Sequence, residues 1–566
     1  MKVCMLIPLV STLALSQTAP APQVAKASAA MPAIRTNGAV KQMMVDGKPF
    51  IMLAGELHNS SASSTEYMKP IWKKLEAMNL NTVIGTVSWE LLEPQEGKFD
   101  FALVDDQIRQ ARAHNLRLVL IWFATWKNAV ASYAPLWVKT DLKRFPRVQS
   151  KEGVSQEELT PLGEESMRAD AKAFRALMRH IHAIDPQHTV IMMQVENETG
   201  KLHDTRDRSP LAEAAYRQPV PAGLMNYLSE NRAKLAPELT KIWGANGFKT
   251  SGTWPEVFGA DPAGDEVFMA WYIARYVGKV AEAGKAELPV PMYANAWLGV
   301  GPPTGQYPTG GPNPHVHDVW RAAAPQLDLL APDIYVPDFK GTCAHFTRNG
   351  NPLFIPEARA SVPNLIWALG YHAALGYSPF GIEGLAEDTP LGPAYRTLAG
   401  MIPLIARYQA DRDVMAVVQD ETDQRGQEIT LGGYKLSFTF SASVRGVPAA
   451  PAAPVGAGGR GAPVPPPAAP APVGPGIPQD NRSFALILHT APDEFVIAGQ
   501  GVGVTFAPET PGPKVAGIGF IDEGRYEKGV WIPGRRINGD ENGGGTRMMI
   551  RGVGIGIQKI RLYRYE

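Results

Sequence analysis

The sequence predicts a (β/α)8 TIM barrel followed by an all-β sandwich domain, and three observations carry that prediction. From about residue 50 to residue 383, short apolar runs alternate eight times with longer amphipathic stretches, the pattern of strand–helix repeats. Beyond about residue 407 the pattern changes to period-two alternation broken by glycine turns, as in antiparallel sheets. The length, 566 residues, exceeds one ordinary domain but fits a barrel of roughly 250 to 400 residues with a smaller companion.

Taken in order, residues 1–25 read as a secretory signal peptide: Lys2, the apolar run VCMLIPLVSTLAL, then small residues, too short for a stable membrane span. The expectation is an exported protein, periplasmic or secreted. Cys4 lies inside that signal, which leaves Cys343, the other cysteine, without an intrachain partner, so stability must come from the size of the core. Residues 26–45 read as a linker and residues 46–406 as the barrel. Its strands are IMLAG (51–55), NTVIGTV (81–87), LRLVLIWF (116–123), TVIMMQVE (189–196), PVPMYAN (289–295), LDLLAPD (327–333), PLFIP (352–356) and SPFGIE (378–383). Between them, stretches such as ALVDDQIRQARAH and ADAKAFRALMRHIHAI repeat apolar residues at three- and four-residue spacing, which makes them helices. The connection after the fourth strand is long enough to hold a further helix.

Residues 407–566 form the sandwich, interrupted at 446–478 by a Pro/Ala/Gly-rich segment that cannot bury a core and is expected to be a disordered surface insertion. Gly456, Gly458 and Gly461 fall in that segment at G-x-G-x-x-G spacing, but with no strand before and no helix after they form no nucleotide site. With 55 basic and 55 acidic residues the net charge is zero, which leaves no electrostatic footprint for nucleic acid and no polybasic membrane patch. The composition leaves the oligomeric state open.

The chemistry concentrates at IMMQVENETG (191–200), where an apolar strand runs straight into Glu196 and Glu198. In a barrel, catalytic residues sit at the C-terminal ends of the strands. Glu198 there projects into a cleft whose walls raise the cost of ionisation, which keeps a carboxyl protonated to act as a general acid. A second acid recurs at the seventh strand, in PLFIPEARA, where Glu357 precedes Arg359, whose charge favours the ionised, nucleophilic form. Two carboxyls with opposed protonation states on facing strands are the apparatus of glycoside hydrolysis.

These residues carry a family resemblance. QVENETG resembles the Q-V-E-N-E-[YF]-G motif of glycoside hydrolase family 35, the β-galactosidases of the clan A barrels. The resemblance implies Glu198 as acid/base, Glu357 as nucleophile and Asn197 as holder of the sugar 2-hydroxyl. AGELHNSS (54–61) is similar to the first-strand S-G-x-x-H-Y motif, which makes His58 a substrate-binding candidate, and TVSWELLEPQEGKFDF (86–101) is similar to the second-strand motif. The chain departs from the family at Thr125, where a third-strand acid touches galactose hydroxyls, at Glu90 in place of Asn, and at Asn59 in place of Tyr. Such polar contacts tell axial from equatorial hydroxyls, so the departures bear on sugar specificity. Tyr335 resembles the clan's tyrosine that hydrogen-bonds the nucleophile, with a structural tyrosine as the alternative. Trp89, Trp126 and Trp297 lie near strand ends as either a stacking platform or core. Glu383 either binds substrate hydroxyls or pairs with an arginine.

No metal and no cofactor are expected. HVHD (315–318) offers two imidazoles, but they face opposite sides of an extended chain and no third ligand is evident. There is no nucleophile elbow and no P-loop. The expectation is a retaining, exo-acting β-galactosidase whose partner is a galactose-containing oligosaccharide or polysaccharide, xyloglucan side chains among them. The alternatives are a β-glycosidase of other specificity, for β-glucosides or β-mannosides, and a catalytically silent carbohydrate-binding protein.

Overall fold

The computed structural model describes residue 1 and residues 30–299, 301–386, 389–420, 426–440 and 480–566. The signal assigned to 1–25 and the insertion assigned to 446–478 lie outside these apart from residue 1. Eight parallel strands close into a barrel: β1 (Met52–Glu56), β2 (Thr82–Ser88), β3 (Arg117–Lys127), β4 (Val190–Asn197), β5 (Met292–Trp297), β6 (Leu329–Ile334), β7 (Phe354–Ala358) and β8 (Gly376–Pro379). Closure is made where Gly376 pairs with Met52 and Tyr377 with Leu53. The eighth strand lies earlier than expected: it ends at Pro379, and Glu383 falls in a following 3-10 turn, Ile382–Gly384.

A helix follows each strand: α1 (Ile71–Ala77), α2 (Ala102–Ala113), α3 (Glu164–Ile184), α4 (Pro262–Lys285), α5 (His317–Ala323), α6 (Phe339–Phe346), α7 (Val362–His372) and α8 (Leu391–Asp411). In α3 the buried Ala173, Phe174, Leu177, Met178 and Ile181 recur at three and four residues and form the stripe that seats the helix on the strands. Asp261 caps α4 by accepting from the Gly264 amide, with Pro262 at the first helical position. Barrel strands are buried on both faces, which is why they read as unbroken apolar runs rather than alternating ones. Leu53, Leu118, Leu120 and Ile355 pack outward with the helices, while Met52, Ala54, Val119, Ile121 and Phe354 fill the barrel interior.

The expected linker is structured from Ala33 onward. Ala33–Asn37 and Val40–Val45 form an antiparallel hairpin, and Met43 and Val45 join the interior cluster of the barrel, so this segment plugs its floor. The connection after β4 holds four helices before α4: Pro210–Tyr216, Ala222–Glu230, Pro237–Ala245 and Trp254–Phe258.

The barrel domain runs to Asp411, the end of α8, five residues beyond the expected boundary at 406. Antiparallel strands then form a two-sheet sandwich. Six strands order as β9 (Val414–Val418), β12 (Phe484–Ala491), β13 (Glu494–Gln500), β18 (Gly556–Tyr565), β15 (Val515–Glu527) and β16 (Val530–Ile537). The facing sheet orders as β10 (Gln427–Leu431), β11 (Tyr434–Phe440), β14 (Val502–Pro508) and β17 (Met548–Ile550). Alternation divides β9 and β12 between two cores. Val417, Ala485 and Ile487 face the sandwich interior with Leu436 and Phe438, whereas Val414, Ala416, Phe484, Leu486 and Leu488 join the core of the barrel helices. Gly370 of α7 permits this approach: a Cβ there would stand 2.6 Å from the Ala416 Cβ. The β-domain is therefore bonded to the barrel by a continuous apolar seam.

Candidate active site

The C-terminal ends of the barrel strands gather five buried ionisable side chains: Glu56 from β1, Lys127 from β3, Glu198 just after β4, Asp333 from β6 and Glu357 from β7. Alternation places Glu56 on the inner face with Met52 and Ala54, and Asp333 on the inner face with Leu329 and Ala331. Asp333 and Glu357 are register partners across β6 and β7. The pairing of β7 with β8 shifts register between Ile355 and Ala358, the stretch that carries Glu357.

The end of β4 explains why two glutamates occur in one motif. Glu196 and Glu198 both adopt left-handed backbone, with φ of 63° and 46°, which breaks the alternation and sends the two carboxyls in different directions. Glu196 is wholly buried, accepts from the Trp126 amide at 2.8 Å and adjoins Asp170, so burial and that neighbouring carboxyl hold it protonated. It belongs to the wall. Glu198 faces the mouth: its amide donates to Asn295 Oδ1 at 3.0 Å and its carboxyl accepts from Asn128 Nδ2. Burial, then the Glu357 charge, push its carboxyl up to about 7, against the opposing effects of Lys127, Asp333 as hydrogen-bond donor, and Asn128.

Tyr335 donates its hydroxyl to Glu357 Oε1 at 2.8 Å. Burial raises Glu357, while Lys127 and then the Tyr335 hydrogen bond pull it back. Arg359, expected to supply that positive charge, is exposed and takes no part; the cation is Lys127. Asp333 is raised well above the carboxylate range by burial and then by Glu357, Glu198 and Glu56, and its Oδ2 accepts from Asn295 Nδ2 at 2.6 Å. Glu56 is likewise raised well above that range, by burial first and Glu357 second. Oxygens of Glu198, Asp333 and Glu357 lie within 4.8 Å of one another. Carboxyls held this close and out of water compete for protons rather than ionise together, which makes one an acid and another a base.

Several expected residues find other places. Asn197 is 1 % exposed and both atoms of its amide lack partners among the described residues, so a donor and an acceptor wait at the mouth. Thr125 does not face the cleft: the pairing of β3 with β4 shifts register between Trp122 and Lys127, and the Thr125 hydroxyl bonds outward to Asp170 Oδ2 at 2.7 Å and the Tyr276 hydroxyl at 2.8 Å. Trp89 is fully buried, donating to Glu93 and edge-on to Trp137, and Trp126 is fully buried against Tyr276. Neither is a platform for a sugar ring. Trp297, at the end of β5, keeps an exposed part. Glu90 turns to the surface, 3.8 Å from Lys139, and so does not substitute for a sugar-binding amide. Glu383 is not paired with an arginine. Its Oε1 accepts from the His58 amide at 2.9 Å and from Ser61 Oγ at 2.5 Å, and lies 3.1 Å from His58 Nδ1. Glu383 thus orients the half-exposed His58, and its other oxygen is buried without a partner among the described residues. In the HVHD stretch, His315 pairs with Glu266 at 3.0 Å while His317 bonds the Pro312 carbonyl at 3.0 Å, two separate structural uses.

Glu56, Lys127, Asn128, Asn295 and Asp333 were missed by motif reading. Inner-face parity would have found Glu56 and Asp333, and Lys127 as well, which keeps the parity of the interior Val119, Ile121 and Phe123.

Residues 59–254 match the family model of glycoside hydrolase family 42, described as Beta-galactosidase, and residues 391–549, from α8 through most of the sandwich, match a domain of unknown function. A Beta-galactosidase of Xanthomonas manihotis is 32 % identical over 210 residues, 35 % of this chain and 31 % of that protein. Beta-galactosidase-1-like protein 3 of Mus musculus is 28 % identical over 165 residues, 29 % of this chain and 24 % of that protein. The chain thus spans less than a third of the length of either curated relative. Among solved structures, β-galactosidase from the psychrophilic Marinomonas ef1 superposes with a TM-score of 0.43 at 14 % identity, covering 63 % of this chain and 61 % of that one. The β-galactosidase of Rahnella sp. R3 gives 0.42 at 14 % identity, over 66 % and 58 %. Over residues 59–254, the amino-terminal half of its barrel, this chain matches a β-galactosidase family model, and the two curated proteins to which it is similar carry β-galactosidase names.

Proposed function

We propose that this chain is a retaining, exo-acting β-galactosidase that removes terminal β-D-galactose from oligosaccharide or polysaccharide side chains, xyloglucan-derived ones among them. The observation that carries the reading is the pairing of Glu198 and Glu357, with carboxyl oxygens within 4.8 Å. Retaining glycosidases hold their two carboxyls about 5 to 5.5 Å apart, and inverting ones leave room for a water at roughly 6.5 to 9.5 Å. Glu357, held by Tyr335, attacks the anomeric carbon as Glu198 protonates the departing oxygen. Glu198, now ionised, takes a proton from water, which displaces Glu357 and restores the β configuration. The unpartnered Asn197 amide supports a sugar-hydroxyl contact next to the acid.

Family 35 is the finer assignment within the barrel glycosidases, supported by QVENETG and by the Tyr335–Glu357 bond. Attack at a chain end is supported by the connections after β4 and β5, which leave the catalytic end of the barrel and pair with each other through Lys201 and Thr309. The apolar amino-terminal run supports an exported enzyme. A β-glucosidase or β-mannosidase is the second reading, favoured by the absence of the third-strand acid from the cleft. A panel of aryl β-glycosides decides between them: turnover fastest on the galactoside and lost in Glu357→Gln is expected. Preference for the glucoside or mannoside would move the specificity, and silence on every member would overturn the hydrolase reading for simple glycosides.

A further inference from the structure

We propose, resting on the reading of Glu198 and Glu357 as the catalytic pair, that Lys127 is a positioning residue whose ammonium balances the negative charge of that pair throughout the reaction. Lys127 is 9 % exposed, yet its Nζ makes no ion pair and no hydrogen bond among the described residues; it stands over the Phe123 ring, 5.7 Å from the centroid. A lysine is seldom buried without a partner, because the desolvated charge is costly. The β3 register shift that turns Thr125 outward leaves Lys127 inward, above Phe123 of the interior cluster and opposite Asn197 in the β3–β4 register.

Its field is shared by Glu56 of β1, Tyr133 of the connection after β3, Glu198 beyond β4 and Glu357 of β7. Facing Glu357 are Asp333 of β6 and Tyr335 just after it, Glu198, Glu56 and Tyr293 of β5. Among the described residues Lys127 is the cation that acts on Glu357, and it acts on Glu198 as well. One lysine therefore sits among carboxyls that all hold their protons more tightly than in water, while the reaction needs the negative charge on Glu357 and Glu198 in turn. When a Glu357 oxygen bonds to the anomeric carbon, the bond from that carbon to the leaving oxygen breaks. The leaving oxygen takes the Glu198 proton, so the negative charge passes from Glu357 to Glu198. Hydrolysis of the glycosyl-enzyme returns it. A cation within the field of both oxygens keeps the buried site neutral in both half-reactions, where a cation bonded to either one would oppose the transfer.

The test is Lys127→Met, with Lys127→Arg for rescue, on the full chain labelled with 13C at glutamate carboxyls. Glu357→Gln and Glu198→Gln assign the two signals. In Lys127→Met the Glu357 carboxyl is expected to titrate higher than in the unaltered protein by roughly one pH unit or more. Both limbs of the kcat/KM profile on the preferred aryl β-glycoside move the same way, because Lys127 favours the ionised form of the base and of the acid alike. Lys127→Arg restores both limbs. An unchanged Glu357 titration overturns the proposal. Should Lys127→Met not fold, the reciprocal measurement decides: by 15N NMR, the Lys127 ammonium must release its proton at lower pH in Glu357→Gln, and an unchanged value overturns the proposal equally. A shifted titration in a protein that cleaves no glycoside would sustain the charge balance and sink the hydrolase reading.

Discussion

Tyr335 shows most directly how a single side chain sets the charge state of Glu357, the proposed nucleophile. Its 2.8 Å hydrogen bond to Glu357 favours the ionised carboxyl, working with Lys127 against burial. A hydrogen bond to a charged group contributes about 1.5 to 3 kcal/mol. Tyr335→Phe is therefore expected to lower kcat/KM roughly ten- to a hundredfold and to move the acid limb of the pH profile upward, with circular dichroism unchanged. A profile whose acid limb stays in place would mean that the hydroxyl serves another role. Asn197 and Glu198, adjacent in sequence, illustrate the complementary case: the buried amide has no partner among the described residues, while the carboxyl is surrounded by groups that set its protonation.

At the scale of elements, the irregular strand ends do what the regular strands cannot. The β3 register shift turns Thr125 outward although it shares the inward parity of Phe123 and Lys127, so the position that motif alignment assigns to a galactose contact is instead a strut between β3, α3 and α4. Thr125→Val removes a hydroxyl that satisfies buried Asp170 and Tyr276, and is expected to cost about 1 to 3 kcal/mol of stability while leaving the ratio of kcat/KM among aryl glycosides unchanged. A changed sugar preference would place Thr125 back at the sugar. The same element shows where sequence stops being legible. The eight apolar runs and the amphipathic stretches are visible because burial on two faces and on one face leaves different periodicities. Glu198 and Glu357 are legible because they interrupt those runs at strand ends. The outward turns of Thr125 and Glu196 are not, since a register shift or a left-handed residue leaves no mark on hydrophobic period. Trp89 and Trp126 mislead for a related reason: an aromatic near a strand end looks the same in sequence whether it lines a cleft or fills the layer behind it. The expected linker conceals a short hairpin because a few residues cannot establish a pattern against a Pro/Ala-rich flank.

At the scale of the whole molecule, the protein carries buried carboxyls in its barrel mouth and must hold them with hydrophobic structure elsewhere. The seam of Val414, Ala416, Leu486 and Leu488 against the barrel helices shows the sandwich acting as a second wall rather than an appended module. Glu56, Glu198, Asp333 and Glu357 all have raised protonation in the fold, so the native state keeps protons that the unfolded chain releases. Their contribution to stability is full below the ordinary carboxylate range and is lost as pH rises through their folded values; for Glu198 the window runs from about 4.5 to about 7. That one shift corresponds to about 3 kcal/mol. Thermal midpoints are expected to fall between pH 5 and pH 8, and Glu198→Gln to flatten the fall and unfold at higher temperature than the parent at pH 8. A parent midpoint that rises over this range would contradict the protonation states described for the site.

The central claim is that Glu357 bonds covalently to the sugar while Glu198 passes the proton. Mass spectrometry after incubation with a 2-deoxy-2-fluoro-β-galactoside bearing a good leaving group tests it most directly, because the fluorine slows hydrolysis of the intermediate and lets it accumulate. The expected result is one added fluorosugar per chain, mapped to the peptide that contains Glu357 and absent from Glu357→Gln. An adduct on another residue, or turnover of the parent galactoside with release of the α-anomer and no adduct at all, would contradict the account.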